Sequence, residues 1–276
     1  MFKKILVPID FSETARAALQ YAVEASKHWK SREIHVIHVF TPEVPGDSLV
    51  IPSVESFLQA KEEALKDFVN GVEKPKGVRV SSELLIGFPA DIITEQSPDY
   101  ELIVMGTTGA SGWINRVFGS VSIAVAQRAK CPVLLIPNDS TYHELRHMVF
   151  ACDIHAIDSD VVNYLKNINS EIKTTLHFIH VRAEETPGAF EDAKEQLLAD
   201  LFKNGEPPFG FEINEIEESG QTIAEAIRNY AESRKADAIA VVTYHRGIWE
   251  QLFHKSQTKQ IAQQTQLPLL VFHAGD

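Results

Sequence analysis

The chain has 276 residues, about twice the common domain length of roughly 100–150 residues, so two domains are expected. Hydrophobic residues make up 44% and charged residues 23%, the composition of a folded globular protein and not of a disordered one. A formal charge of -12 repels phosphate backbones and anionic membranes, which excludes nucleic acid and membrane as expected partners, while a local anion site built from backbone N–H groups remains open.

In chain order, the first apolar run, Ile5-Leu6-Val7-Pro8-Ile9, stops at the carboxylate of Asp10. It is too short for a signal-peptide core or a bilayer span and reads as a strand, with the cytoplasm as the expected compartment. Ser12 is a good N-cap for a helix running to Trp29, in which Ala15, Ala18, Leu19, Ala22 and Val23 form one apolar face. Further helices are expected over residues 54–72, 90–96 and 120–129, and strands over 3–9, 33–40, 78–85, 101–106 and 132–137. Near-continuous apolar strands between helices point to a parallel sheet covered on both faces. Cys131 and Cys152 both lie in apolar segments that read as strands, and they suggest neither a disulfide framework nor a CxxC metal site.

The pattern then repeats. Ile34-His35-Val36-Ile37-His38-Val39 returns as Leu176-His177-Phe178-Ile179-His180-Val181, and Ile5 to Asp10 is echoed by Met148 to Asp153. Tyr100 to Met105 matches Asp237 to Val242, and Cys131 to Ile136 matches Leu267 to Phe272. Two α/β domains follow, residues 1–140 and 144–276, each a doubly wound five-stranded parallel sheet, with a polar boundary near residues 138–143.

In open parallel sheets, ligands sit beyond the carboxyl ends of the strands, where helix N-termini point. In the first copy the fourth strand runs into Met105-Gly106-Thr107-Thr108-Gly109-Ala110-Ser111-Gly112, and a helix starts after Phe118-Gly119-Ser120-Val121-Ser122. Glycines let a backbone approach phosphate closely, and the first N–H groups of a helix lack internal partners, so this loop could wrap a polyphosphate with Ser120 and Ser122 adding hydroxyl donors. Glycines between a strand and a helix can also merely turn the chain. Asp10, read alone, is equally a carboxylate at a helix start, worth about 0.3–1 kcal/mol with no ligand at all.

The spacing Gly106-x2-Gly109-x9-Gly119-Ser120 matches the pattern associated with ATP binding in the universal stress protein family. Ile5 to Asp10 followed by Ser12, the strand ending His38-Val39, and Gly119-Ser120-Val121 followed by Cys131-Pro132-Val133-Leu134 resemble that family too. The resemblance is close over residues 1–138 and extends by overall pattern over 144–273. It implies a strand order of 3-2-1-4-5 and a site between the first and fourth strands. It also implies that Asp10 holds the nucleoside side of ATP, and that Pro8 and the backbone of Val39 contact adenine. Met105 would stand at the strand end, with residues 106–112 (Gly106, Thr107, Thr108, Gly109 and Gly112 among them), Gly119 and Ser120, Val121 and Ser122 around the phosphates. Magnesium would be held through phosphate oxygens and water. Single-domain relatives commonly pair through their last strands, so the resemblance further implies an internal pseudo-dimer, with residues 133–137 facing 269–273 and homodimerisation of the whole chain left open.

The second copy departs from this pattern. Thr243 stands for Gly106, Arg246 for Gly109 and His254 or Lys255 for Gly119, while Ala151 replaces Pro8 and Asp153 is kept. Its side chains would crowd a triphosphate. Cys152, Asp153, His155, His180 and His245 fall near strand ends and would suit zinc, but no HxxxH or CxxC spacing supports a preformed site, and His177 and His180 must point to opposite faces of a strand. The chain has no GxxxxGK[ST] lysine, with Arg116 the available charge near the loop, and no evident general base. A nucleotide-binding regulatory role is therefore expected. The alternative is an enzyme: a slow ATPase or phosphotransferase in the first domain, or a metal-dependent hydrolase in the second.

Overall fold

The computed structural model describes residues 2–42, 54–107, 119–138, 140–154, 157, 159–182, 188–217, 220–243 and 267–273. Lys4–Ile9 forms β1. Ile5, Leu6 and Val7 are fully buried in succession, as a central parallel strand covered on both faces requires. The chain leaves β1 through Phe11, held at φ 64°, and enters α1 (Glu13–Trp29). Ser12 caps α1 by accepting the Ala15 N–H at 3.1 Å, and the small residues Ala15, Ala18, Ala22 and Ala25 are buried along its length.

The first unit continues with β2 (Glu33–Phe40), α2 (Val54–Asn70), β3 (Arg79–Ile86), α3 (Pro89–Gln96) and a 3-10 turn at Ser97–Asp99. It is completed by β4 (Leu102–Gly106), α4 (Ser120–Arg128) and β5 (Val133–Ile136). Its strands are parallel in the order β3-β2-β1-β4-β5. β1 therefore has β2 on one side and β4 on the other, and the connections reverse direction between them. Right-handed crossovers put α1 and α2 on one face of the sheet, and α3 and α4, which pack on each other, on the opposite face.

The second unit repeats this plan with β6 (His147–Ala151), α5 (Ser159–Ile172), β7 (Thr175–Arg182), α6 (Ala189–Phe202), β8 (Phe211–Glu217), α7 (Ile223–Ser233), β9 (Ala238–Thr243) and β10 (Leu269–His273). Its strands are again parallel, in the order β8-β7-β6-β9-β10. By contact density the described residues up to Tyr142 form one compact unit and those from His143 onward a second.

Two details differ from the sequence reading. β3 is not an apolar run; its residues are exposed or half-buried throughout, because β2 is its strand neighbour on one side only among the described residues. Cys131 and Cys152 flank β5 and β6 instead of lying inside them. Both are free and buried, and burial pushes the Cys131 thiol up to about 12 and that of Cys152 higher still, so neither is a reactive thiolate. Among the described residues no helix is long and apolar enough to cross a membrane.

Gly106 has a packing role that its place in a glycine motif conceals. A Cβ there would lie 2.9 Å from Thr14 Cγ2 and 3.0 Å from the Thr14 backbone carbon and oxygen, so the absent side chain is what lets the first turn of α1 settle over the end of β4. Gly106→Ala should destabilise the chain by about 1–3 kcal/mol, since the helix backbone must move to admit the methyl group. A melting temperature equal to wild type would contradict this packing.

Candidate functional site

At the carboxyl ends of β1 and β4 lies a cavity of about 290 Å³, at the lower end of the range of roughly 300–1,000 Å³ typical of small-molecule pockets. The expected residues Pro8, Asp10, Val39, Met105, Gly106, Gly119, Ser120, Val121 and Ser122 all line it. Thr108, Gly109 and Gly112 lie outside the described residues, as do Arg116 and the rest of 108–118. Ile9, Ala15, Pro89 and Ile93 complete the lining and were not singled out in the sequence. The signal was present for two of them: β3 is parallel to β2, so the turn leading from it to Pro89 must open on the same end of the sheet.

One side of the cavity is set by Asp10. Its Oδ1 accepts from the Ser12 N–H at 3.1 Å and from the Ser12 hydroxyl at 2.6 Å. The Ser12 oxygen in turn caps α1. The carboxylate is thus locked to the helix start, as the ligand-free reading of Asp10 anticipated, and lines the cavity as well.

The other side is the start of α4. Gly119 is its N-cap and supplies no side-chain hydrogen bond, in contrast to the Ser12 cap on α1. The N–H groups of that first turn carry the positive end of the helix dipole and are suited to an anion. α3 also begins at the cavity without a side-chain cap, with Pro89 in its first turn.

The phosphate-side assignments need two adjustments. Thr107 is buried and absent from the cavity lining. Its carbonyl accepts from the Gly119 N–H and, at 3.0 Å, from the Ser122 hydroxyl, which ties the two ends of residues 108–118 together. Ser122 also approaches the Gly119 carbonyl at 2.9 Å. A hydroxyl has one proton, which these two carbonyls share, so the exposed Ser120 is the hydroxyl in the α4 turn that is placed to donate to a ligand.

In the second unit, the corresponding strand end carries Asp153, with Oδ1 3.9 Å from His180 Nδ1. His180 faces Phe190 of α6, whereas His177 faces His147, 3.1 Å away, and Tyr230 of α7. The two histidines therefore lie on opposite faces, as strand geometry requires. His155, His245 and residues 244–266 are outside the described residues. Among the described residues no group of three or more potential ligands could hold a metal ion.

A model of the universal stress protein family matches residues 1–137 and again 145–273. The chain belongs to this family. A universal stress protein of Methanocaldococcus jannaschii is 34% identical over 142 residues, covering 49% of this chain and 82% of the relative. One from Bacillus subtilis is 35% identical over 148 residues, covering 49% of this chain and 99% of its own. A Mycobacterium tuberculosis universal stress protein matches 97% of this chain and 95% of its own length at 22% identity. Among solved structures, a universal stress protein from Archaeoglobus fulgidus covers 99% of this chain and 97% of its own with a TM-score of 0.73 at 21% identity, which establishes the shared fold. This universal stress protein thus carries the family domain twice.

Two buried histidines, His38 and His177, and the half-buried His35 give it a pH dependence. Burial pushes His35, His38 and His177 below their ordinary value of 6.5, outweighing Glu83 beside His35, the Ile9 carbonyl and Asp10 beside His38, and Glu212 beside His177. With the folded-state values depressed, the unfolded chain binds more protons below 6.5. The stability is therefore complete above that pH and is lost as pH falls through it. The melting temperature should be lower at about pH 5.5 than at about pH 7.5; an equal or higher value would show that these rings titrate without penalty.

Proposed function

We propose that the protein is an ATP-binding regulatory protein that holds one nucleotide in the first domain, between Asp10 and the first turn of α4. The observation that carries this reading is the pairing, across one cavity, of a carboxylate locked to a helix start with a helix N-terminus that lacks a side-chain cap. The motif Gly106-x2-Gly109-x9-Gly119-Ser120 spans that helix start. The apolar lining by Pro8, Val39, Pro89, Ile93 and Met105 suits a flat base, Asp10 suits a ribose hydroxyl, and the α4 N–H groups with the Ser120 hydroxyl suit phosphate.

Magnesium fits this arrangement only as a companion of the phosphates. Asp10 is the one carboxylate among the described lining residues, so phosphate oxygens and water would supply most ligands, as magnesium prefers. No other described lining residue is an acid or a base, and the Asp10 oxygen already accepts twice from Ser12. Both features favour holding a nucleotide over turning it over. In the second domain the glycines are replaced by Thr243, Arg246 and His254 or Lys255, which favours a domain without a triphosphate.

Thermal unfolding with millimolar Mg-ATP tests this. A ligand at 100 times its dissociation constant adds about 2.7 kcal/mol to the native state, so wild type should melt higher with nucleotide. Gly119→Lys, which brings in one of the two residue types at that place in the second copy, should remove the shift while keeping its nucleotide-free melting temperature within a few degrees. A shift that survives in Gly119→Lys, or none in wild type, would overturn the assignment.

A further inference from the structure

His38 occupies an unusual position beside this site. It lies on β2, opposite Ile9 in the ladder, and is buried to all but 7%. Its Nδ1 lies 2.9 Å from the Ile9 carbonyl oxygen. A carbonyl only accepts, so Nδ1 carries the proton. The other nitrogen, Nε2, is buried without a hydrogen-bond partner. A leucine would fill the same space and leave no polar atom stranded. What it would lack is the donor to Ile9.

That donor acts where β1 leaves the sheet. Ile9 is the last residue of the strand, Asp10 follows it, and Phe11 sits in the left-handed region at φ 64°, an expensive conformation for a bulky side chain. The Phe11 ring packs on His38 with centroids 4.4 Å apart and on Phe68 at 5.7 Å, and the Lys61 ammonium lies 5.7 Å from its centre. His38 therefore grips the turn twice, through the carbonyl before Asp10 and through the ring after it. Burial disfavours a charged imidazole and Lys61 of α2 adds to it, and together they outweigh the Ile9 hydrogen bond and Asp10, which favour the charge, so the ring stays neutral with its proton on Nδ1.

The second copy shows that this donor role is not a requirement of the fold. His180 occupies the equivalent place on β7, yet there its Nδ1 faces the Ile154 N–H at 3.4 Å and acts as the acceptor. The same residue type is used in the opposite sense in the copy that lost its glycines.

We propose that His38 is a positioning residue of the first-domain crevice, holding the Ile9–Ser12 turn so that the Asp10 carboxylate faces the bound nucleotide. This rests on the nucleotide reading above. Calorimetric titration of Mg-ATP into the intact chain, with melting of each variant alone, tests it. His38→Asn keeps an amide donor at the place of Nδ1 and should bind within about twofold of wild type. His38→Gln moves the donor outward, and His38→Leu removes it. Each should weaken binding about three- to tenfold, the equivalent of one neutral hydrogen bond. Affinity unchanged in Gln and Leu would overturn the positioning role, whatever happens to their melting temperatures. Equal loss in Asn, Gln and Leu would overturn the Nδ1 donor. Should Leu fail to fold, the contrast between Asn and Gln decides alone. Silence in wild type would instead overturn the nucleotide reading, and this proposal with it.

Discussion

The crevice exists because β1 and β4 are neighbours whose following helices leave the sheet on opposite faces. Parallel strands joined by right-handed crossovers generate one such point per sheet, where the direction of winding reverses. Everything at the site hangs on that adjacency: Asp10 comes from the exit of β1, the start of α4 from beyond β4, and Pro89 and Ile93 from α3, the helix within the crossing from β3 to β4. The seating of α1 beside the crevice in turn depends on close packing over Gly106, where Thr14 of α1 occupies the space a side chain would need. A glycine that in sequence belongs to the spaced glycine motif is thus also the reason α1 can sit where Ser12 and Asp10 meet the cavity.

Two copies of one fold separate what the architecture needs from what the site needs. Both units show the same parallel strand order and both place a histidine on each face of the second strand. The second copy keeps Asp153 but replaces the residues corresponding to Pro8, Gly106, Gly109 and Gly119. The net charge of -12 makes the distinction sharper. In so acidic a chain an anion must be attracted locally, by oriented N–H groups and close backbone approach, and these depend directly on glycine. A fold tolerates the exchange of glycine for a side chain in a loop more readily than an anion site does.

Much of this was legible in the residues. The helices and strands of the first copy follow from runs such as Ile5 to Ile9 and from the Ser12 cap, because local periodicity and capping record burial directly. The repeat then carried the pattern into the second copy. What the sequence did not show are contacts between distant segments. Nothing local says that Gly106 faces Thr14, that the Ser122 hydroxyl lies against the Thr107 carbonyl, or that His38 holds Ile9 across the ladder. β8, with its half-buried alternation Phe-Glu-Ile-Asn-Glu-Ile-Glu, was missed as an individual element because it has no close counterpart among the repeated segments.

On the proposed function, one copy of the domain holds a nucleotide and the other does not. The stoichiometry of Mg-ATP binding to the intact chain, measured by isothermal titration calorimetry at saturating protein, tests this most directly. The account predicts one nucleotide per chain, abolished by Asp10→Ala and unchanged by Asp153→Ala. Two nucleotides per chain, or one that is lost with Asp153 and kept without Asp10, would contradict it.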